Sequence, residues 1–382
     1  LKYNFDKEID RRNSGSVKWN EYAGRDIIPM WVADMDFQTP PPIIDAIRRQ
    51  LDHGVMGYTE PTKEFYGVIQ AMLERLYDWQ VEEEWIVLLP SLVPGLHGAC
   101  RAVCSPGDTV FTLVPAYPLF FPVAPLSGCR MTRVPLIREN SRWIFSIDQM
   151  SKAITPDTRL LMFCNPHNPV GRVYSRLELE DIAAFSIEHN LVLCSDEIHC
   201  GLILDEDRRH IPIATLAPEI AGRTITLMSP GKTYNLGGMN CGFAVIPNPA
   251  LRRKFNHATE GIMPYVNMLG VTAMQAAYSE CDTWYNELIA YLRGNRDIVY
   301  DEVSGMPGIA TTHIEATYLA WIDAREIDTD DPTTFFEDAG VGLSDGKDFG
   351  MEGFVRLNFA CPRSLLKKAL NRMHTACCRI EK

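Results

Sequence analysis

Residues 229–238, SPGKTYNLGG, contain a lysine whose surroundings invite two chemical readings. Gly231-Lys232-Thr233 could close a phosphate-binding P-loop, but that loop needs a glycine five positions before Gly231, so that successive backbone N–H groups wrap a phosphate. That position is Thr226, inside the apolar run TITLM, where a strand is expected. Lys232 is therefore either a solvated surface lysine or an amine held at a strand end for covalent chemistry. Two other stretches, and the start of this one, offer reactive groups in the same kind of place. NPHNPVG supplies the amide of Asn168, SDEIH supplies the carboxyl of Asp196 and the imidazole of His199, and SPGK adds the hydroxyl of Ser229.

The elements that must position these groups are short apolar runs: EWIVLLP, TVFTLVP, RLLMFCNP, NLVLCSDE, RTITLMSP and CGFAVIPN. Most lack internal alternation, as strands buried on both faces of a parallel sheet do. Amphipathic segments lie between them. SRLELEDIAAFSIEHN, for example, opens on a serine N-cap and ends near Asn190. Strand–helix alternation predicts a doubly wound α/β sheet. Ligands bind such a sheet beyond the C-terminal ends of its strands, where Asn168, Asp196, Ser229 and Lys232 all fall. Each has a plainer use: Asn168 shapes a turn, and Asp196 or Ser229 caps a helix. Four such endings on successive strands are not explained by turns alone. A buried Asp196 also needs a partner that repays its desolvation, and a pyridinium nitrogen is one.

At 382 residues the chain exceeds one ordinary core. The pattern predicts an N-terminal segment over 1–45, a large domain over 46–284 and a smaller α+β domain over 285–382, with the first packing on the last. A net charge of −12 argues against nucleic acid and anionic membrane surfaces. The N-terminal residues lack a secretory h-region, and no run approaches the roughly 18 apolar residues of a membrane span. The eleven cysteines include no C-x-x-C pair, and Cys377-Cys378 is a poor zinc spacing. Reduced thiols in a cytoplasmic protein are the expectation, with no metal site.

The combination of NPHNPVG, SDEIH and S-x-x-K-T-Y-N-L-x-G resembles the fold-type I pyridoxal-phosphate superfamily. YNFDKEIDRRNSGSVKW, IPMWVADMDFQTP, GYTEP, VPAYPLF, ATYLAWID and FVRLNFACPRS extend the resemblance over nearly the whole chain. WVADMDF and DEIH point to its branch of bacterial cystathionine β-lyases and cysteine-S-conjugate C–S lyases, the MalY/PatB type. The resemblance implies pyridoxal 5'-phosphate as cofactor, Lys232 as the Schiff-base lysine and Asp196 as the acid at the ring nitrogen. It further implies Asn168 at the ring's phenolic oxygen and Tyr117 on the ring face, with His199 also in the cofactor site. Ser229 and the backbone of Leu92 and Val93 would meet the phosphate. Tyr58 would reach the site of a neighbouring subunit, making a homodimer. Arg356, with Ala33 and Tyr58, would hold a small amino-acid substrate. The implied reaction is α,β-elimination on cystathionine or another cysteine S-conjugate, sulfoxides included. An aminotransferase on the same residues is the competing reading, and a cofactor-bearing regulatory protein is a second. Two departures stand near the motifs: Gly231 occupies a position where the family commonly has a hydroxyl, and Gly201 one where an acid is common.

Overall fold

The computed structural model describes residues 2–380. Seven strands form its main sheet: β1 (Ile86–Leu89), β2 (Thr109–Val114), β3 (Arg130–Pro135), β4 (Thr158–Cys164), β5 (Val192–Asp196), β6 (Thr224–Met228) and β7 (Gly242–Val245). Their order across the sheet is β1-β7-β6-β5-β4-β2-β3. All adjacent pairs are parallel except those made by β7, which runs antiparallel to both β1 and β6. This is the expected α/β class with one reversed strand. CGFAVIPN is as uniformly apolar as its neighbours because it too is covered on both faces, so its composition carries no sign of direction.

Helix Leu92–Val103 crosses behind the sheet and brings its N-terminus to the strand ends. It sits close because residue 95 has no side chain: a Cβ there would lie 2.8 Å from Leu89 and 3.2 Å from Leu227. Helix Arg176–Glu188 starts at Ser175, the expected N-cap, and a reciprocal capping box to Glu178 completes its start. Asn190 turns the chain at φ +52°, a conformation that asparagine tolerates better than most residues.

A second, antiparallel sheet joins Ala310–Thr311, Leu319–Asp323, Phe354–Asn358 and Ser344–Asp345, in that spatial order. The N-terminal segment attaches here, Ile28–Pro29 pairing in parallel with Val341–Gly342. The boundary expected at 45 falls within helix Pro41–Asp52, and that at 284 within the first turn of helix Asp282–Ser304. No described helix is long and apolar enough to cross a membrane.

Candidate active site

A cavity of about 870 Å³ opens at the C-terminal ends of β4, β5 and β6. Its lining includes Ala33, Leu92, Val93, Tyr117, Asn168, Asp196, His199, Ser229, Lys232 and Arg356. Parallel strands that start on one side of a sheet must all finish on the other, so residues far apart in sequence gather at one edge. Of the residues expected at the site, only Tyr58 is absent from this lining; it is fully exposed, on a stretch flanked by the exposed Val55 and Met56.

Lys232 is partly buried, and its Nζ donates to the Ala33 carbonyl at 2.7 Å. Burial, together with the nearby Arg356, lowers its pKa to about 8, making the neutral amine accessible near physiological pH. Tyr318 shares the same carbonyl at 3.0 Å. The WVADMDF segment is pinned so that this carbonyl faces inward. Asn235 accepts from the Met35 N–H and donates to the Met35 and Phe37 carbonyls, each at 3.0 Å. From the other side, Asn358 donates to the Val32 and Asp34 carbonyls at 2.6 Å each. Asp36 anchors the base of the segment: Lys18 and Arg11 each approach it to 2.7 Å, and Trp19 Nε1 donates at 2.9 Å. Burial opposes ionisation of Asp36, but Lys18 and these donors hold its carboxyl below the usual range. The Lys18 side chain is fully buried, an expensive placement that this pairing offsets. Nothing in the local sequence marked Lys18, Asn235 or Asn358 as site-building residues, because their partners lie elsewhere in the chain.

Asp196 ends β5 with one hydrogen bond, from the Ile198 N–H at 3.1 Å. Burial raises its pKa to about 7, with the Ile198 N–H and Lys232 pulling the other way. A carboxyl buried this deeply and so sparsely solvated lacks a cationic donor. Below it, Glu197 is locked by Ser195 Oγ at 2.9 Å and by His210 Nε2 at 2.6 Å. This pair fixes the strand end that carries Asp196. Burial, then Lys232 and Arg356, holds His199 neutral, and its Nδ1 has no partner. Tyr117 is likewise kept protonated by burial and by Asp196. The turn bearing it rests on His167, whose Nε2 lies 2.7 Å from the Pro115 carbonyl. Since a carbonyl only accepts, Nε2 carries the proton and Nδ1 accepts from Tyr174 Oη at 3.0 Å.

Arg356 is 5 % exposed, yet no carboxylate lies within salt-bridge distance of it among the described residues. It donates to Asn168 Oδ1 at 3.0 Å, to the Trp31 carbonyl at 2.9 Å and to Ser344 Oγ at 3.3 Å, and it lies over the Phe349 ring. Its Nε has no partner, and burial lowers its pKa to about 10. A buried guanidinium held by neutral groups is poised for an incoming anion.

Ser229 and Gly231 line the cavity beside Leu92 and Val93. Ser229 Oγ donates its single proton to the Cys241 carbonyl at 2.7 Å and accepts from the Gly231 N–H at 3.0 Å. At the start of helix Leu92–Val103 the N-cap, Ser91, makes no side-chain capping bond, so the first N–H groups stay open toward the cavity. Gly201 is not at the cavity; a Cβ there would lie 2.6 Å from Thr233 Oγ1, so backbone packing behind the lysine loop explains the glycine.

These features fit pyridoxal phosphate. Asp196 matches a protonated ring nitrogen, Lys232 an aldehyde, the open helix end a phosphate, and the volume suits a cofactor with a small ligand.

Residues 25–373 match the family described as aminotransferase class I and II. Cystathionine beta-lyase PatB of Bacillus subtilis (strain 168) is 32% identical over 98% of this chain and 99% of its own length. The crystal structure of OvoB is similar at 43% identity and a TM-score of 0.96, covering 98% of this chain and 99% of that one. The PLP-bound C–S lyase of Staphylococcus hominis is 33% identical with a TM-score of 0.92, covering 99% and 98%.

Proposed function

The chain belongs to the aminotransferase class I and II family, and on that premise we propose that it is a pyridoxal-phosphate-dependent carbon–sulfur lyase. Its substrate is a cysteine S-conjugate, cystathionine and S-alkyl sulfoxides being the first candidates. Relatives named as cystathionine β-lyase and C–S lyase along their full lengths support the reaction class. The observation that carries an amino-acid substrate is Arg356: a buried cation with no carboxylate of its own, in one cavity with the Lys232 amine.

Lys232, Asp196, Asn168, His199 and Tyr117 would hold the cofactor, with the N–H groups at Leu92 and Val93 on its phosphate. When bound, the cofactor supplies an aldehyde for amines and a sink for the electron pair left at the substrate Cα. Arg356 grips the α-carboxylate with two parallel N–H donors and so orients the Cα–H bond. Lys232, released from the Ala33 carbonyl, takes the Cα proton as general base. Asp196 would lie at the cofactor's ring nitrogen and hold a proton there. Loss of the sulfur substituent from Cβ and addition of water give a sulfur product, pyruvate and ammonia.

The test is to supply cystathionine, cysteine and an S-alkyl cysteine sulfoxide separately, assaying pyruvate and the sulfur product. One of the three is expected to yield both in equal amounts without any keto acid. Turnover that requires a keto acid and releases no thiol would instead establish transamination, and His199 would then not mark the lyase branch.

We also infer a homodimer in which Tyr58 completes the partner's site. Its full exposure, with Val55, Met56, Ile262 and Tyr265 also exposed, supports this. Mixing Tyr58→Ala subunits with inactive Lys232→Ala subunits should recover part of the activity, because one hybrid site keeps both residues. No recovery in demonstrably mixed dimers would overturn the assignment. A reducing, cytoplasmic setting suits the eleven cysteines, all of them free thiols.

A further inference from the structure

Helix Leu92–Val103 points its N-terminus at the cavity; at its opposite end three thiols meet. Cys100 lies in the last turn, Cys104 caps the helix, and Cys129 arrives on the loop before β3. Their Sγ atoms all lie within 4.8 Å of one another, with Cys100 and Cys129 buried and Cys104 partly exposed. Thiolates bound about 2.3 Å from one tetrahedral zinc ion sit roughly 3.8 Å apart, so small rotations would close the set.

Cys100 and Cys129 lie within the apolar cluster behind the main sheet, with Cys104 packed against it, and polar groups reach the sulfurs from the helix end and the loops. The last turn of the helix presents unsatisfied carbonyls and the negative end of its dipole. The Cys129 thiol donates toward the Ser105 and Ser127 carbonyls at 3.3 and 3.6 Å, a proton that metal binding would release. Ser127 Oγ, against Cys100, is buried without a partner and would find an acceptor in a thiolate. The loops carrying these groups are tied together by Gly107 N–H to the Gly128 carbonyl at 2.9 Å and by Arg130 N–H to the Asp108 carbonyl at 2.8 Å. The sulfurs are therefore held in place before any ion arrives.

We propose that Cys100, Cys104 and Cys129 form a binding site for a thiophilic divalent cation, Zn²⁺, with water in the fourth position beside Cys104. Binding forms three sulfur–metal bonds and releases the three thiol protons to solvent; no electron is transferred. Spacing hid the site, because Cys100 and Cys104 are one helical turn apart while Cys129 comes from a separate loop.

The experiment uses the cofactor-loaded protein, reduced and freed of chelator, with Cd²⁺ as an optical probe. One equivalent is expected to saturate a thiolate-to-metal charge-transfer band in the ultraviolet, and Zn²⁺ should displace it. Cys104→Ser should weaken Cd²⁺ binding at least ~10-fold and remove about a third of the band, one bond of three. Cys378→Ser, at the cysteine pair near the C-terminus, should leave both unchanged. Circular dichroism checks that the partly exposed Cys104 site tolerates serine without unfolding, and Cys129→Ser gives a second reading. A band absent at one equivalent, unaltered by both Cys104→Ser and Cys129→Ser, or lost with Cys378→Ser would each overturn the proposal.

Discussion

Lys232→Ala is expected to lower pyruvate release by at least ~10³-fold, since it removes the general base and the cofactor's attachment point together. The variant should also lose bound pyridoxal phosphate on dialysis that leaves the wild type coloured. Undiminished turnover would sink both roles. A companion measurement needs no substrate. In the cofactor-free protein, reductive labelling of Lys232 by an aldehyde should follow the neutral amine, with a midpoint close to the pKa of about 8. The sign follows from burial: desolvation penalises the ammonium, so the proton leaves at lower pH than from an exposed lysine. Below the midpoint, labelling should fall about tenfold per pH unit. A midpoint near the ordinary lysine value of roughly 10.4 would mean that the amine is solvated, contrary to its hydrogen bond with Ala33.

Arg356→Lys should cost about 3 kcal/mol, or roughly 150-fold, in kcat/KM for an amino-acid substrate. A lysine keeps the charge but offers a single point in place of a planar fork, and it would leave Asn168 Oδ1 and the Trp31 carbonyl short of donors. Most of the loss should appear in KM, because the carboxylate is held alike before and during reaction. The discriminating measurement compares each substrate with its α-carboxamide. Wild type should strongly prefer the acid, and the variant should lose most of that preference. If the preference survives intact, another group grips the carboxylate and Arg356 only braces Asn168.

Much of this was legible in the chain itself. Uniformly apolar runs ending in Asn168, Asp196 and Lys232 forced a parallel sheet, and a parallel sheet forces those residues to one edge. The helix from Ser175 was equally readable, because its N-cap and periodicity act within a few residues. Local chemistry said less about what each group would find on arrival. Ser229 read as a cavity residue, which it is, but its bond to the Cys241 carbonyl could not be read locally. Gly201 read as a pocket departure, and it is the Thr233 side chain that forbids anything larger.

The amino-acid order thus determined which reactive groups the molecule has and which edge of the sheet they share, since strand direction and helix spacing are set over short distances. Only the tertiary structure decided that Ala33 offers its carbonyl to Lys232, that Arg356 is buried with no acid beside it, and that Cys129 meets Cys100 and Cys104. Those outcomes depend on contacts between segments brought together by the whole core, whose geometry no local pattern encodes.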